Sequence, residues 1–213
     1  MTTQQLEHNP SYHPLLVVSH NDLLPFIQEQ FSSGTWTIRS YLALLIVLLS
    51  GIVLFGWIDI VNGAISWGTL LKYMGLGTLL VFTLIIPLHE GLHGLAYKIA
   101  GAPKVSYGVN WRKFYFYAVA DRFVIDRKAF YFIGLLPFLV VSVLSILLMF
   151  FVPVQFKWLL ISVLFMHTGA CAGDIALFSF YEQHKNYKEL LTFDDVEKKL
   201  SFFYVREEPD ENS

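Results

Sequence analysis

The sequence predicts an all-α integral membrane protein with about four transmembrane helices and a small β-hairpin or loop between the second and third. Three observations carry that expectation. Hydrophobic residues make up 55% of the 213-residue chain and charged residues only 15%, against roughly 25% charged in ordinary soluble domains. The charges are unevenly placed, clustering between long apolar runs, which is the pattern a bilayer imposes. The basic residues are one-sided as well. Of 15 Lys and Arg, all but Lys72 and Lys157 are Arg39, lie within residues 98–128, or fall after residue 181.

Residues 1–38 are mildly polar and carry Pro10, Pro14 and Pro25. They read as a cytosolic arm with one short helix. The N-terminus has neither a basic region nor an apolar stretch behind it, so no cleaved signal peptide is expected, and the first span would act as the insertion signal. That span is Tyr41–Ile58, YLALLIVLLSGIVLFGWI, uncharged, with Trp57 at its end suited to an interface. Residues 59–72 form a loop. The second span, about 73–99, is uncharged until Glu90 and is stopped by Gly101, Ala102 and Pro103. Residues 102–128 alternate and are rich in aromatics, with a turn signal near Gly108–Asn110. They read as a hairpin dipped into the membrane or lying over the site, with a plain cytosolic loop as the alternative. The third span, about 129–154, contains Pro137; the fourth, about 156–181, contains His167 and Asp174. Together residues 39–181 make the membrane domain. Residues 182–213 read as a charged cytosolic tail with a frayed end. The positive-inside rule then places both termini and the middle loop in the cytoplasm of a multi-pass cell-membrane protein.

The chemistry lies in His89-Glu90-Gly91-Leu92-His93. Residues four apart on a helix share a face, so both imidazoles can reach one metal ion, with Glu90 placed as general base toward a water. Zinc brings the pKa of such a water toward neutrality. Ionisable groups inside a span are costly, and three within five residues are hard to explain as packing. One more protein ligand is needed. Counting about 1.5 Å per residue from Lys98, His89 and His93 lie roughly 8–14 Å below the cytoplasmic surface. Counted from Glu182, Asp174 lies roughly 12 Å deep and His167 roughly 22 Å. Depth therefore favours Asp174 as third ligand. His167 lies two turns too far, and is left to hydrogen-bond within the site, line a water path or serve as an interior histidine.

Gly169 and Gly173 form a small-xxx-small pair, and Gly91 and Gly94 lie on the motif helix; either pair would let another helix come close. Cys171 lies off the Asp174 face and reads as a small interior residue. As the only cysteine, it can form no disulfide within the chain. Pro137 frees a backbone carbonyl and kinks its helix, and together with Gly134 it falls beside the expected metal. His8, His13, His20 and His184 have no ligand spacing. The expected cofactor is one Zn2+ ion, although a set of two imidazoles and one carboxylate also suits other divalent metals.

HEGLHGLAYKIAG, an aromatic hairpin region, a proline-bearing span and HTGACAGDI, taken together, resemble a bacterial family of small membrane zincins. These are domain-of-unknown-function proteins that look like distant relatives of site-2 intramembrane zinc proteases. The resemblance covers residues from about 75 to 181. It implies that His89, His93 and Asp174 bind zinc and that Glu90 serves catalysis. Two departures stand out. The usual Leu-Asp-Gly around the third ligand is Gly173-Asp174-Ile175 here, and the Asn-Pro-type sequence of the middle span is reduced to Leu136-Pro137-Phe138. The expected activity is hydrolysis of a peptide bond in or near the membrane. The alternative is a non-enzymatic membrane protein with a structural metal site, favoured if a fourth protein ligand such as His167 closes the site, or with a metal- or proton-handling role. The expected partners are the lipid bilayer and a membrane-embedded or juxtamembrane protein or peptide substrate. A net charge of −2 gives no reason to expect nucleic acid, and homo-oligomerisation stays open.

Overall fold

In a computed structural model, which describes residues 1–20, 22–110 and 115–206, three helices are long and apolar enough to cross a membrane. The first, α3 (Trp36–Val61), follows two short helices, α1 (Thr3–Glu7) and α2 (Leu23–Ser32). It starts before the expected Tyr41 because its first amides are satisfied. Thr35 Oγ1 accepts from Ile38 N, and the Glu182 carboxylate accepts from Trp36 N and Thr37 N at 3.0 and 2.8 Å. Much of α3 is apolar and uncovered: Ile46, Val47, Val53 and Phe55 are all exposed. An exposed apolar belt of this kind fits a membrane protein.

The second apolar helix runs continuously over Trp67–Ile99 as α4 (Trp67–Leu80), a π-helical turn (Val81–Ile85) and α5 (Ile86–Ile99). Ser66 caps its start by accepting from Thr69 N. The π turn lies immediately before Pro87, which withholds an amide from the regular ladder. The third, α6 (Arg127–Met149), is capped by Asp126, whose carboxylate accepts from Ala129 N at 2.8 Å. It ends short of the expected residue 154.

The expected single fourth span is two helices, α7 (Val154–Ala170) and α8 (Ala172–Gln183), bent by 46° at Cys171. Only as a bent pair do they pass for a fourth crossing. At the break the Cys171 amide closes onto the carbonyls of His167 and Thr168, and a further donor comes from α3. Tyr41 Oη donates to the carbonyls of Thr168 and Gly169, each at 3.1 Å.

The structure holds two small antiparallel sheets, of which the three-stranded one corrects the expectation of helices with at most one hairpin. Strands β2 (Ser106–Asn110) and β3 (Tyr115–Val119) form the expected hairpin, with Asn110 paired to Tyr115. Gly108 and Asn110 thus lie within a strand, not at the turn; residues 111–114 between the strands are outside the described residues. The second sheet is unexpected. The arm supplies β1 (His13–Ser19) and the tail β4 (Glu189–Asp195) and β5 (Leu200–Arg206), in the order β1-β5-β4. Val18, Phe26, Phe180, Tyr181, Leu190, Phe203 and Val205 form one apolar cluster that ties this sheet to α2 and α8. Bridges Asp121–Asp194 and Ile125–Thr192 fasten it to the segment leading into α6. The expected frayed end, residues 207–213, lies outside the described residues.

Helices α4 and α7 meet at Gly77. A Cβ there would strike the Leu159 carbonyl oxygen and come within 2.9 Å of Ser162 Cβ. Gly77→Ala is therefore expected to cost about 1–3 kcal/mol of stability, measured as a lowered thermal midpoint in detergent. An unchanged midpoint would contradict this helix contact.

Asp195, buried at the end of β4, accepts from the Lys198 amide at 2.9 Å and from Arg122 at 3.2 Å. The Lys198 N–H first, and then Arg122, hold its carboxyl below the ordinary range despite its burial. A carboxyl whose pKa falls on folding adds stability above its unfolded value of about 3.9, and loses it as pH falls through the folded value. Asp195→Asn should lower the thermal midpoint at pH 7, with the gap to the parent closing below about pH 4. A gap of constant size across that range would show that Asp195 contributes nothing through its charge.

Candidate metal centre

Helix α5 places His89 and His93 one turn apart on its inward face, both buried. Their Nε2 atoms are 2.9 Å apart. Asp174, in the first turn of α8, reaches the same point, with Oδ2 3.2 Å from His89 Nε2 and Oδ1 3.4 Å from His93 Nε2. The three side chains offer ligand-type atoms all within 4.8 Å of one another.

Two neighbours orient the rings. His93 Nδ1 donates to the Ile133 carbonyl of α6 at 2.9 Å, and His89 Nδ1 lies 3.0 Å from His167 Nε2 of α7. A carbonyl only accepts, so His93 carries a proton on Nδ1, and in the neutral ring Nε2 keeps its lone pair. Binding a cation through His89 Nε2 would likewise put that ring's proton on Nδ1, where His167 Nε2 can accept it. The two lone pairs and the carboxylate then face one another across a small gap, an arrangement that calls for a cation. Zinc bonds of about 2.0–2.1 Å at tetrahedral angles would set ligand atoms about 3.3 Å apart. The observed 2.9–3.4 Å spacings are close to this. The residues therefore fit a four-coordinate divalent ion, three of them leaving one position open.

Glu90 is half-buried and within electrostatic reach of His89, His93 and Asp174, with the Ala118 backbone of β3 beside it. The hairpin also closes over α5 at Gly94, where the Tyr107 hydroxyl occupies the space a Cβ would take. On the other side, Gly134 of α6 lets the Phe178 ring approach to 2.6 Å from where a Cβ would stand. Phe178 is one turn beyond Asp174, so this close approach brings the carboxylate's helix against α6.

The depth count put His167 too far from the motif, but the structure places its ring against His89. That count assumed a straight span and side chains level with their Cα atoms. The α7–α8 bend and the two opposite edges of the His89 ring close the gap. His167 meets the Nδ1 edge, away from Asp174. Cys171, expected as an interior residue, is buried with Sγ 3.9 Å from His167 Nε2. The expected close helix approaches at Gly91 and Gly169 do not occur: a Cβ at either would meet nothing within 4 Å, and at Gly173 only Ile27 Cδ1 at 3.9 Å. Three neighbours were not anticipated, namely the Ile133 carbonyl, the Ala118 backbone and the Tyr41 hydroxyl. Of these, only Ile133 left a trace in the sequence, through Pro137.

The fold and the centre define a mainly helical chain with membrane-compatible helices and a candidate divalent-metal site made of two imidazoles and a carboxylate. Residues 82–187 match the model of the family described as "Putative zincin peptidase". The match runs from the π-helical turn to just beyond α8, and so includes every side chain of the centre. It supports a metalloprotease in general terms, with zinc as the implied metal. No curated protein and no solved structure matches the chain.

Detergent-purified protein is expected to carry one zinc equivalent by elemental analysis, and His89→Ala and Asp174→Ala to lose it. Full stoichiometry in both variants would remove the centre as drawn.

Proposed function

We propose that the protein is an intramembrane zinc metallopeptidase that hydrolyses a peptide bond in or near the membrane, with His89, His93 and Asp174 as the metal ligands and Glu90 as the catalytic base. The observation that carries this reading is the convergence of two imidazole Nε2 atoms and one carboxylate on a single point between apolar helices, with Glu90 beside them.

A zinc ion at that point would supply Lewis acidity toward a water and a substrate carbonyl. Glu90 takes a proton from the attacking water as its oxygen adds to the scissile carbonyl carbon. Glu90 then returns that proton to the leaving nitrogen as the C–N bond breaks, giving a carboxylic acid and an amine. The Ile133 carbonyl and His167 keep the two rings facing inward.

Both chain termini lie on the cytoplasmic side in this proposal, and water enters from there. Support comes from the basic residues between 98 and 128 and after 181, and from the sheet of β1, β4 and β5, which sits with the start of α6. The substrate is a membrane-embedded or juxtamembrane peptide, because the exposed belt of the helices is apolar. A closed structural site would need a fourth protein ligand on the Nε2 side, whereas His167 approaches from the Nδ1 side.

Glu90→Gln should retain one zinc equivalent and lower cleavage by about 10²–10⁴-fold. The check is mass spectrometry of transmembrane peptide mixtures incubated with the protein in lipid nanodiscs. Parent-like cleavage by the variant would overturn the assignment of the base.

A further inference from the structure

Pro137 lies inside α6 with a fully buried side chain, four residues after Ile133. In an α-helix the amide of residue i bonds the carbonyl of residue i−4, so the Ile133 carbonyl would ordinarily belong to the amide of residue 137. Proline has no N–H, and its ring crowds the i−4 carbonyl and bends the helix there. A carbonyl released among apolar helices needs another donor. Here that donor is His93 Nδ1, at 2.9 Å.

We propose that Pro137 is a positioning residue for the metal centre: by withholding an amide from Ile133, it dedicates that carbonyl to the His93 ring. The inference rests on the metal-centre reading above. An amide at 137 would compete for the Ile133 oxygen and draw it back along the helix axis. The His93 ring would then lose its fixed partner, and with it the preference for a bare Nε2 facing His89 and Asp174. Second-sphere partners of this kind set both ring orientation and ligand basicity. Gly134, next in the chain, keeps α6 close to α8 through Phe178, so the carbonyl, the ring and the Asp174 carboxylate are held as one unit.

The test uses the full chain in detergent, with zinc affinity measured by competition against a chromogenic chelator. Two variants separate the missing amide from the proline ring. Pro137→Ala restores the N–H. The second places lactic acid at position 137 as a backbone ester, which has neither ring nor N–H. Pro137→Ala is expected to bind zinc about 10-fold or more weakly at unchanged stoichiometry, with an apo-protein thermal midpoint no lower than the parent's. The ester variant is expected to bind as the parent does. Imidazole ¹⁵N spectra of the apo-protein should show His93 protonated at Nδ1 in the parent and ester, and as a tautomer mixture in Pro137→Ala. Parent-like affinity in Pro137→Ala, or equal loss in the ester, would overturn the inference while leaving the centre intact. Zinc retained in His89→Ala and Asp174→Ala would overturn the centre and this inference together.

Discussion

A polar group held among apolar helices must meet a partner of the right kind, and the architecture around the centre follows from that requirement. His89, His93 and His167 are buried, and Asp174 is half-buried, among apolar helices. Most of their polar atoms are answered by a specific atom, while His167 Nδ1 is buried with no hydrogen-bond partner among the described residues. His93 Nδ1 has the Ile133 carbonyl, His89 Nδ1 has His167 Nε2, and Asp174 reaches both Nε2 atoms. What remains is a convergence of electron-rich atoms, which is the condition for holding a divalent cation. The same rule operates away from the centre, where buried Trp158 donates to Asp59 at 3.0 Å and Tyr41 donates to the carbonyls at the end of α7.

The irregular backbone of the long helices gathers at this place. The π-helical turn ends just before α5, Pro137 interrupts the α6 ladder, and Cys171 breaks α7 from α8 three residues before Asp174. Such departures are tolerated among apolar helices only where protein, not lipid, surrounds the released groups. Each has a use here. The π turn and Pro87 lead into the helix that bears the histidines. The break at Cys171 puts Asp174 into the first turn of a new helix, where the free amide ends favour a carboxylate. Helix regularity has been given up at the points where side chains of different helices must meet within about 3 Å.

The small sheets serve the same placement from outside. Pairing of β5 with β1 and β4 ties the two ends of the chain to α2 and α8. Glu182 at the end of α8 then caps the start of α3. The orientation of α8, and hence of Asp174, is braced at one end by this sheet and at the other by the Gly134–Phe178 contact. The β2–β3 hairpin lies over α5 at Gly94 and brings the Ala118 backbone beside Glu90.

Read alone, the sequence determined what depends on local composition and short spacing. The long apolar runs, the hairpin between the second and third, and the histidine pair on one helical face are all properties of neighbouring residues, so they are legible in one dimension. The contact of Asp174 with those rings followed from counting residues down two helices, since rise per residue is nearly constant. That count failed for His167 because it took a bent pair of helices as straight. Tertiary structure alone decided the three-stranded sheet, since residues 13–19 and 189–206 pair across nearly the whole chain and neither segment signals its partner. It also decided which atoms orient the rings, because a backbone carbonyl or amide looks the same in every residue and is distinguished only by what the fold brings beside it.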